Sequence, residues 1–189
     1  MKNAIIVHGK PSREKYESSE TDPSDSHWIP WAKHQLNIAG IRTVAPDMPV
    51  PYYPDYREWE IELDRHKPWQ PETSLIGLSA GASLVLRYSS EYEKLRYDKI
   101  ILVAPWLDIA SKYGDFGNFE IDPHLSERCI GGLAVFYSSK DDDQALASLE
   151  VIQAALPNAK YIDIPGYGHY MTGNKMETNE FPELIAEML

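Results

Sequence analysis

The sequence predicts an α/β protein, a parallel sheet between two layers of helices, and three observations predict it. Short, strand-sized apolar runs alternate from end to end with segments whose apolar residues recur three and four apart. The runs are continuously apolar, as strands buried on both faces are. The residues best suited to chemistry each stand just after such a run, at the edge of a parallel sheet where ligands bind.

Ala4 to Val7 is the first strand, ending at His8-Gly9. Lys10 to Asp25 is polar and contains two prolines, so a solvated loop is expected there, long enough to cover part of a site. Asp25 or Ser26 suits the cap of a helix carrying Trp28, Trp31, Ala32, Gln35, Leu36 and Ala39, which Gly40 ends. Ile41 to Ala45 is the second strand, followed by a proline-punctuated loop from Pro46 to Pro54. A helix spans Asp55 to His66 and is stopped by Pro68 and Pro71. The third strand begins at Thr73 and leads through Gly77-Leu78-Ser79-Ala80-Gly81 into a helix running to about Glu91.

The fourth strand lies within Tyr97 to Ala104. Pro105 to Ile130 is irregular, with one or two helical turns expected between Pro123 and Cys129. Gly132 to Ser138 is the fifth strand, Asp143 to Leu156 a helix, Ala159 to Ile164 the sixth strand and Asn179 to Leu189 a closing helix. About six parallel strands in one domain, residues 1–189, are therefore expected.

Composition narrows the function classes. Hydrophobic residues make up 43% and charged residues 25% of 189, ordinary for a globular chain. A net charge of -11 argues against nucleic acid and against an anionic membrane surface. The longest apolar runs are too short to span a bilayer, and the N-terminal one is too short for a secretory signal, so a cytoplasmic protein is expected. Cys129 is the single cysteine and is expected to be a half-buried structural thiol. Trp28, Trp31, Trp59 and Trp69 are expected in the core.

The chemistry centres on Ser79. A serine at the tip of a strand–turn–helix, with small residues two before and two after, is a nucleophile elbow, because strand and helix pass too close for larger side chains. A serine hydroxyl holds its proton tightly at neutral pH and needs a base, and the base needs an acid to fix its tautomer. His169, in Gly166-Tyr167-Gly168-His169, is the base. The acid comes from Asp141-Asp142-Asp143: Asp142 is expected to orient His169, with Asp141 and Asp143 as alternatives and Asp143 suited to cap the next helix.

An oxyanion needs two backbone N–H donors, expected at Ala80 and at Gly9 or Lys10. Trp28, Trp106, Phe116 and Phe119 are candidates for an apolar acyl pocket. His8 is read as a packing and hydrogen-bonding residue, and His27, His34, His66 and His124 as surface or structural, His124 being a weaker candidate base. No metal or other cofactor is expected, since no H-x-x-x-H or paired Cys/His spacing occurs.

These residues together resemble the small α/β-hydrolases of the retinoblastoma-binding protein 9 type and their bacterial relatives. The resemblance runs through Val7-His8-Gly9, the Trp28-x-x-Trp31 helix, Pro46-Asp47-Met48-Pro49, the Trp59 helix, the elbow, Ser139-Lys140-Asp141-Asp142 and Gly168-His169-Tyr170. The order serine, aspartate, histidine is that of α/β-hydrolases. The resemblance implies a compact three-layer fold with strand order 2-1-3-4-5-6 and no separate cap domain. It also implies serine hydrolase chemistry on small acyl esters through an acyl-enzyme. The alternatives are a protein-binding module on a hydrolase scaffold, for which a protein partner is expected beside the small-molecule substrate, and acyl transfer on the same elbow.

Overall fold

The structure, a computed structural model, describes residues 2–67 and 72–189. Pro68 and Pro71 as helix stops and Trp69 as a core residue lie outside the described residues. Six strands form one parallel sheet: β1 (Asn3–Val7), β2 (Arg42–Val44), β3 (Thr73–Leu78), β4 (Ile100–Val103), β5 (Leu133–Tyr137) and β6 (Lys160–Asp163). Their order is β2-β1-β3-β4-β5-β6, as the resemblance implies. The chain moves outward from β1 to β2, then returns past β1 to β3, so the order reverses between β1 and β3. Ligands in open parallel sheets bind beyond the strand ends at such a reversal. The register pairs Val7 with Gly77 and Leu78 with Val103, which brings the loops after β1, β3 and β4 to one edge.

The strands are apolar throughout because both faces are covered. Ile5, Val7, Leu75, Ile100 and Leu102 point to one side, where they meet Trp59 and Leu63 of α3 (Tyr56–Asp64), Leu84 and Tyr88 of α4 (Ala80–Glu91), and Leu149 and Ile152 of α5 (Asp143–Ala155). Ala4, Ile6, Ile76, Ile101 and Val103 point to the other, against Ile29 and Leu36 of α2 (Ile29–Ile38) and Leu184 and Met188 of α6 (Pro182–Met188). Each fully buried large aliphatic or aromatic side chain stabilises by about 1.5–3 kcal/mol. No helix among the described residues is long and apolar enough to cross a membrane.

Three departures from the sequence reading have physical causes. The stretch from Lys10 to Asp25 is not simply a loop. It holds α1 (Arg13–Ser18), capped by the Ser12 hydroxyl accepting from the Lys15 N–H at 3.2 Å, and a 3₁₀ turn at Pro23–Asp25. No residue of α1 is buried, so it carries no apolar periodicity to read. Second, α2 starts at Ile29 with a proline in its first turn, not from a cap at Asp25 or Ser26. Third, two-residue strands, β7 (Met171–Thr172) and β8 (Lys175–Met176), pair after the sixth strand and are too short to leave a pattern.

The irregular stretch after β4 is pinned by two buried arginines. Arg87 of α4 donates to the backbone oxygens of Asp115 and Phe116 and pairs with Glu91 at 2.8 Å. Its guanidinium lies 3.5 Å from the centre of the Tyr56 ring. Arg128 pairs with Asp122 at 2.6 Å and donates to the Ser89 carbonyl at 2.6 Å.

Candidate active site

Ser79 sits between β3 and α4 with φ 53° and ψ -115°, a conformation that L-residues avoid. The close passage of strand and helix enforces it. A Cβ on Gly81 would lie 2.3 Å from the Val7 carbonyl oxygen, and one on Gly77 would lie 2.5 Å from the Ala82 Cα. Neither position accepts any side chain. The turn is held by the Ser79 N–H donating to the Val103 carbonyl at 2.9 Å. The hydroxyl therefore stands proud at the sheet edge.

His169 arrives from the loop after β6. Its Nε2 is 2.9 Å from Ser79 Oγ, and its Nδ1 is 2.9 and 3.0 Å from the two carboxylate oxygens of Asp141. An ionised carboxylate only accepts, so Nδ1 carries the proton and Nε2 is left to accept from the serine hydroxyl. The pair is well shielded, with side-chain exposures of 11% for His169 and 5% for Asp141. Asp141 is itself fixed by the Asp142 N–H at 2.8 Å.

The aspartate against His169 is thus Asp141, not Asp142. Asp142 occupies the N-cap of α5, where its Oδ1 accepts the Ala145 N–H at 2.9 Å. The helix begins at Asp143, one residue earlier than a cap at Asp143 would require, and this turns Asp142 to the helix and Asp141 to the histidine. Ligand atoms of Asp141, Asp142 and His169 lie within 4.8 Å of one another, but both imidazole nitrogens are already engaged by Asp141 and Ser79.

The N–H of Ala80, at the start of α4, has no intrahelical acceptor. Those of Gly9 and Lys10 donate to no acceptor among the described residues. Gly9 presses on the nucleophile: a Cβ there would lie 3.2 Å from the Ser79 Cβ. Lys10 lines an open cleft of about 210 Å³ together with Ser79, Trp106, Lys112, Tyr113, Asp142, Gln144 and His169.

Of the four proposed pocket aromatics, Trp106 alone lines this cleft, its indole N–H donating to Gln144 at 3.1 Å. Trp28 and Phe116 are core residues, fully enclosed against Phe181 and Trp59 respectively, and Phe119 packs on the core cluster of α3 and α4. Apolar side chains of that size find more burial beneath the loops than at their rim. A second cavity of about 280 Å³ adjoins the site on the α1 side, bordered by Gly9, Lys10, Tyr16, His27, Leu78 and Met171.

Several residues outside this cleft hold it in shape. The Trp28 indole donates to the Tyr170 carbonyl at 3.1 Å, and the Tyr170 hydroxyl donates to the Tyr137 carbonyl at 2.7 Å, so the His169 loop is tied to α2 and to β5. His27 Nδ1 accepts the Thr172 N–H at 3.1 Å from a backbone φ of 60°. Burial, then Lys15 and His169, lower the His27 pKa to about 4. The sequence reading of His27 as a surface or structural residue did not anticipate its place beside His169.

His8 is buried; its Nδ1 donates to the Gly9 carbonyl at 2.8 Å and its Nε2 accepts the Met48 N–H at 2.9 Å. Burial lowers its pKa and keeps this neutral tautomer. Trp59 meets the His8 ring edge-on and donates to the Pro49 carbonyl at 2.8 Å. His124 is exposed and paired with Glu127, away from the cleft. Cys129 is buried with its pKa raised to about 12 by that burial, which leaves an unreactive thiol.

A family model described as serine hydrolase matches residues 16–183. Comparison with curated proteins gives no match. Among solved structures, the ydeN gene product of B. subtilis superposes with a TM-score of 0.80 at 20% identity, covering 100% of this chain and 98% of that one. Est1E from Butyrivibrio proteoclasticus, solved with ferulic acid, gives 0.64 at 14% identity over 100% and 89% of the two chains. A methylesterase of Arabidopsis, MES16, gives 0.63 at 11% identity over 98% of each. At these identities the structural likeness speaks for the fold.

Proposed function

Because the chain belongs to the serine hydrolase family, we propose that it cleaves small acyl esters through a covalent acyl-enzyme formed on Ser79. The observation that carries this reading is the hydrogen-bonded chain from Asp141 through His169 to Ser79, with both links near 2.9 Å. In this reading His169 Nε2 takes the hydroxyl proton as Ser79 Oγ attacks the acyl carbon. The Ala80 and Lys10 N–H groups receive the developing oxyanion, while Gly9 packs against Ser79. His169 then gives its proton to the leaving oxygen. Water, activated by the same nitrogen, attacks the acyl carbon, and Ser79 leaves with its proton restored. Asp141 holds the imidazole tautomer and stabilises the cation formed between the two transfers.

Ester substrates of modest size fit an open cleft of about 210 Å³. Esterases among the structural relatives lend the same support. Closer kinship to the retinoblastoma-binding protein 9 type belongs to this reading too. It is favoured by the Trp28 and Trp59 anchors, which brace the His169 loop and the loop after β2.

Hydrolysis of p-nitrophenyl esters of increasing acyl length tests the proposal. Short esters should be turned over, and Ser79→Ala should reduce kcat to the background rate while the protein stays folded. Full activity in Ser79→Ala would overturn it.

A further inference from the structure

Two spaces meet at Ser79. The open cleft holds Trp106, Lys112 and Tyr113 of the stretch after β4 and Gln144 of α5, a helix that covers one face of the sheet. The second cavity, of about 280 Å³, lies toward the other face. It borders His27, just before α2, and Leu78, whose side chain belongs to the cluster beneath α2 and α6. Lys10 borders both, which sets them side by side at the nucleophile. A tetrahedral centre on Ser79 Oγ turns one substituent to the oxyanion donors. Its other two, the acyl chain and the leaving group, depart in different directions, and the two spaces offer those directions.

The cavity is mostly apolar, with Pro11, Tyr16, Leu78 and Met171 in its wall, and its serine hydroxyls are already engaged. Ser12 accepts the Lys15 N–H, Ser19 donates to the Thr21 carbonyl at 2.9 Å, and Ser26 donates to the Asp22 carbonyl at 3.0 Å. The Lys10 ammonium reaches toward the cleft, 5.0 Å from the centre of the Tyr113 ring, and Lys15 is exposed on α1.

His27 differs. A backbone N–H only donates, so His27 Nδ1 accepts from Thr172 and the neutral ring carries its proton on Nε2. Burial, which lowers the pKa of the ring to about 4, keeps it in that form. The Nε2–H donates to no acceptor among the described residues. The residue is held there at a φ of 60°, a conformation that non-glycine residues adopt at a cost. A plain alkyl chain laid in the cavity would strand this donor, whereas a chain carrying an acceptor oxygen would pair with it.

Resting on the esterase reading above, we infer that one arm of the ester, acyl or alkoxy, enters this cavity and that His27 Nε2 donates to a neutral oxygen on it. The substrate class is esters with a slender apolar arm interrupted by an ether or keto oxygen. At about 30 Å³ for each water-sized group, the space takes an arm of about nine non-hydrogen atoms.

Kinetics on two series test this. p-Nitrophenyl heptanoate and heptyl acetate are each compared with their oxa analogues, in which an ether oxygen replaces one CH₂ three or more bonds from the ester, too far to activate it. One series should contain an analogue turned over about fivefold better in kcat/KM than its all-carbon parent, and that series names the arm. His27→Ala should erase the preference, a ratio within one variant that a general loss of rate through the His169 loop does not move. Thr21→Trp, which fills the cavity beyond α1, should slow the preferred analogue about tenfold more than p-nitrophenyl acetate.

Parents preferred throughout both series, a preference that survives His27→Ala, or a Thr21→Trp variant that slows the acetate as much as the analogue would overturn the inference while leaving the esterase reading standing. Turnover of none of these esters, with Ser79 inert to a fluorophosphonate, would remove the reading on which it rests.

Discussion

Three consecutive aspartates do different work because the backbone turns between them. Asp141 faces His169, Asp142 faces the first turn of α5, and Asp143 is the first residue of that helix. Replacing Asp141 with Asn removes the acceptor that fixes the Nδ1–H tautomer, and should lower kcat by about 10,000-fold with little change in KM. Asp142→Ala should instead lower stability by about 1 kcal/mol through loss of the cap, visible in thermal unfolding, with kcat within a few-fold of wild type. The Ser79 and His169 positions were legible from their local sequence. The acid was not, because three identical side chains in a row carry no periodicity, and a one-residue shift in where a helix starts decides which of them meets the histidine.

At the scale of elements, the elbow depends on contact between α4 and β1. Gly81→Ala would push a methyl into the Val7 and His8 carbonyls, and should cost several kcal/mol, read as a lowered midpoint in urea. The stretch after β4 depends on Arg87, which reaches from α4 to the Asp115 and Phe116 carbonyls. Arg87→Met should destabilise by about 2–4 kcal/mol, since it leaves two backbone oxygens without this donor and takes one of the two donors to Glu91, which keeps the Tyr56 hydroxyl. Because that stretch carries Trp106, Lys112 and Tyr113, KM should rise more than kcat falls. The buried strands and the larger helices were legible because burial on one or two faces writes a period into the sequence. The fully unburied α1 and the two-residue β7 and β8 write none.

For the molecule as a whole, the layer arrangement brings one neutral histidine to each side of the Ser79 edge, and both respond to acid. Burial depresses the pKa of His8, and of His27 to about 4. The unfolded chain binds protons at these positions below about pH 6.5 while the folded one does not, so stability is complete above that pH and falls as pH drops below it. The melting temperature should decline from pH 6.5 toward 4. His27→Asn, whose side-chain oxygen can accept the Thr172 N–H and which tolerates positive φ, should flatten part of that decline.

The catalytic assignment of Ser79, His169 and Asp141 is tested most directly by the rate at which a fluorophosphonate labels the protein, with the adduct mapped by mass spectrometry. One adduct is expected, on Ser79, formed about a thousandfold or more slowly in Asp141→Asn and within tenfold of wild type in Asp142→Asn. Labelling at another residue, or a slow Asp142→Asn beside a fast Asp141→Asn, would contradict it.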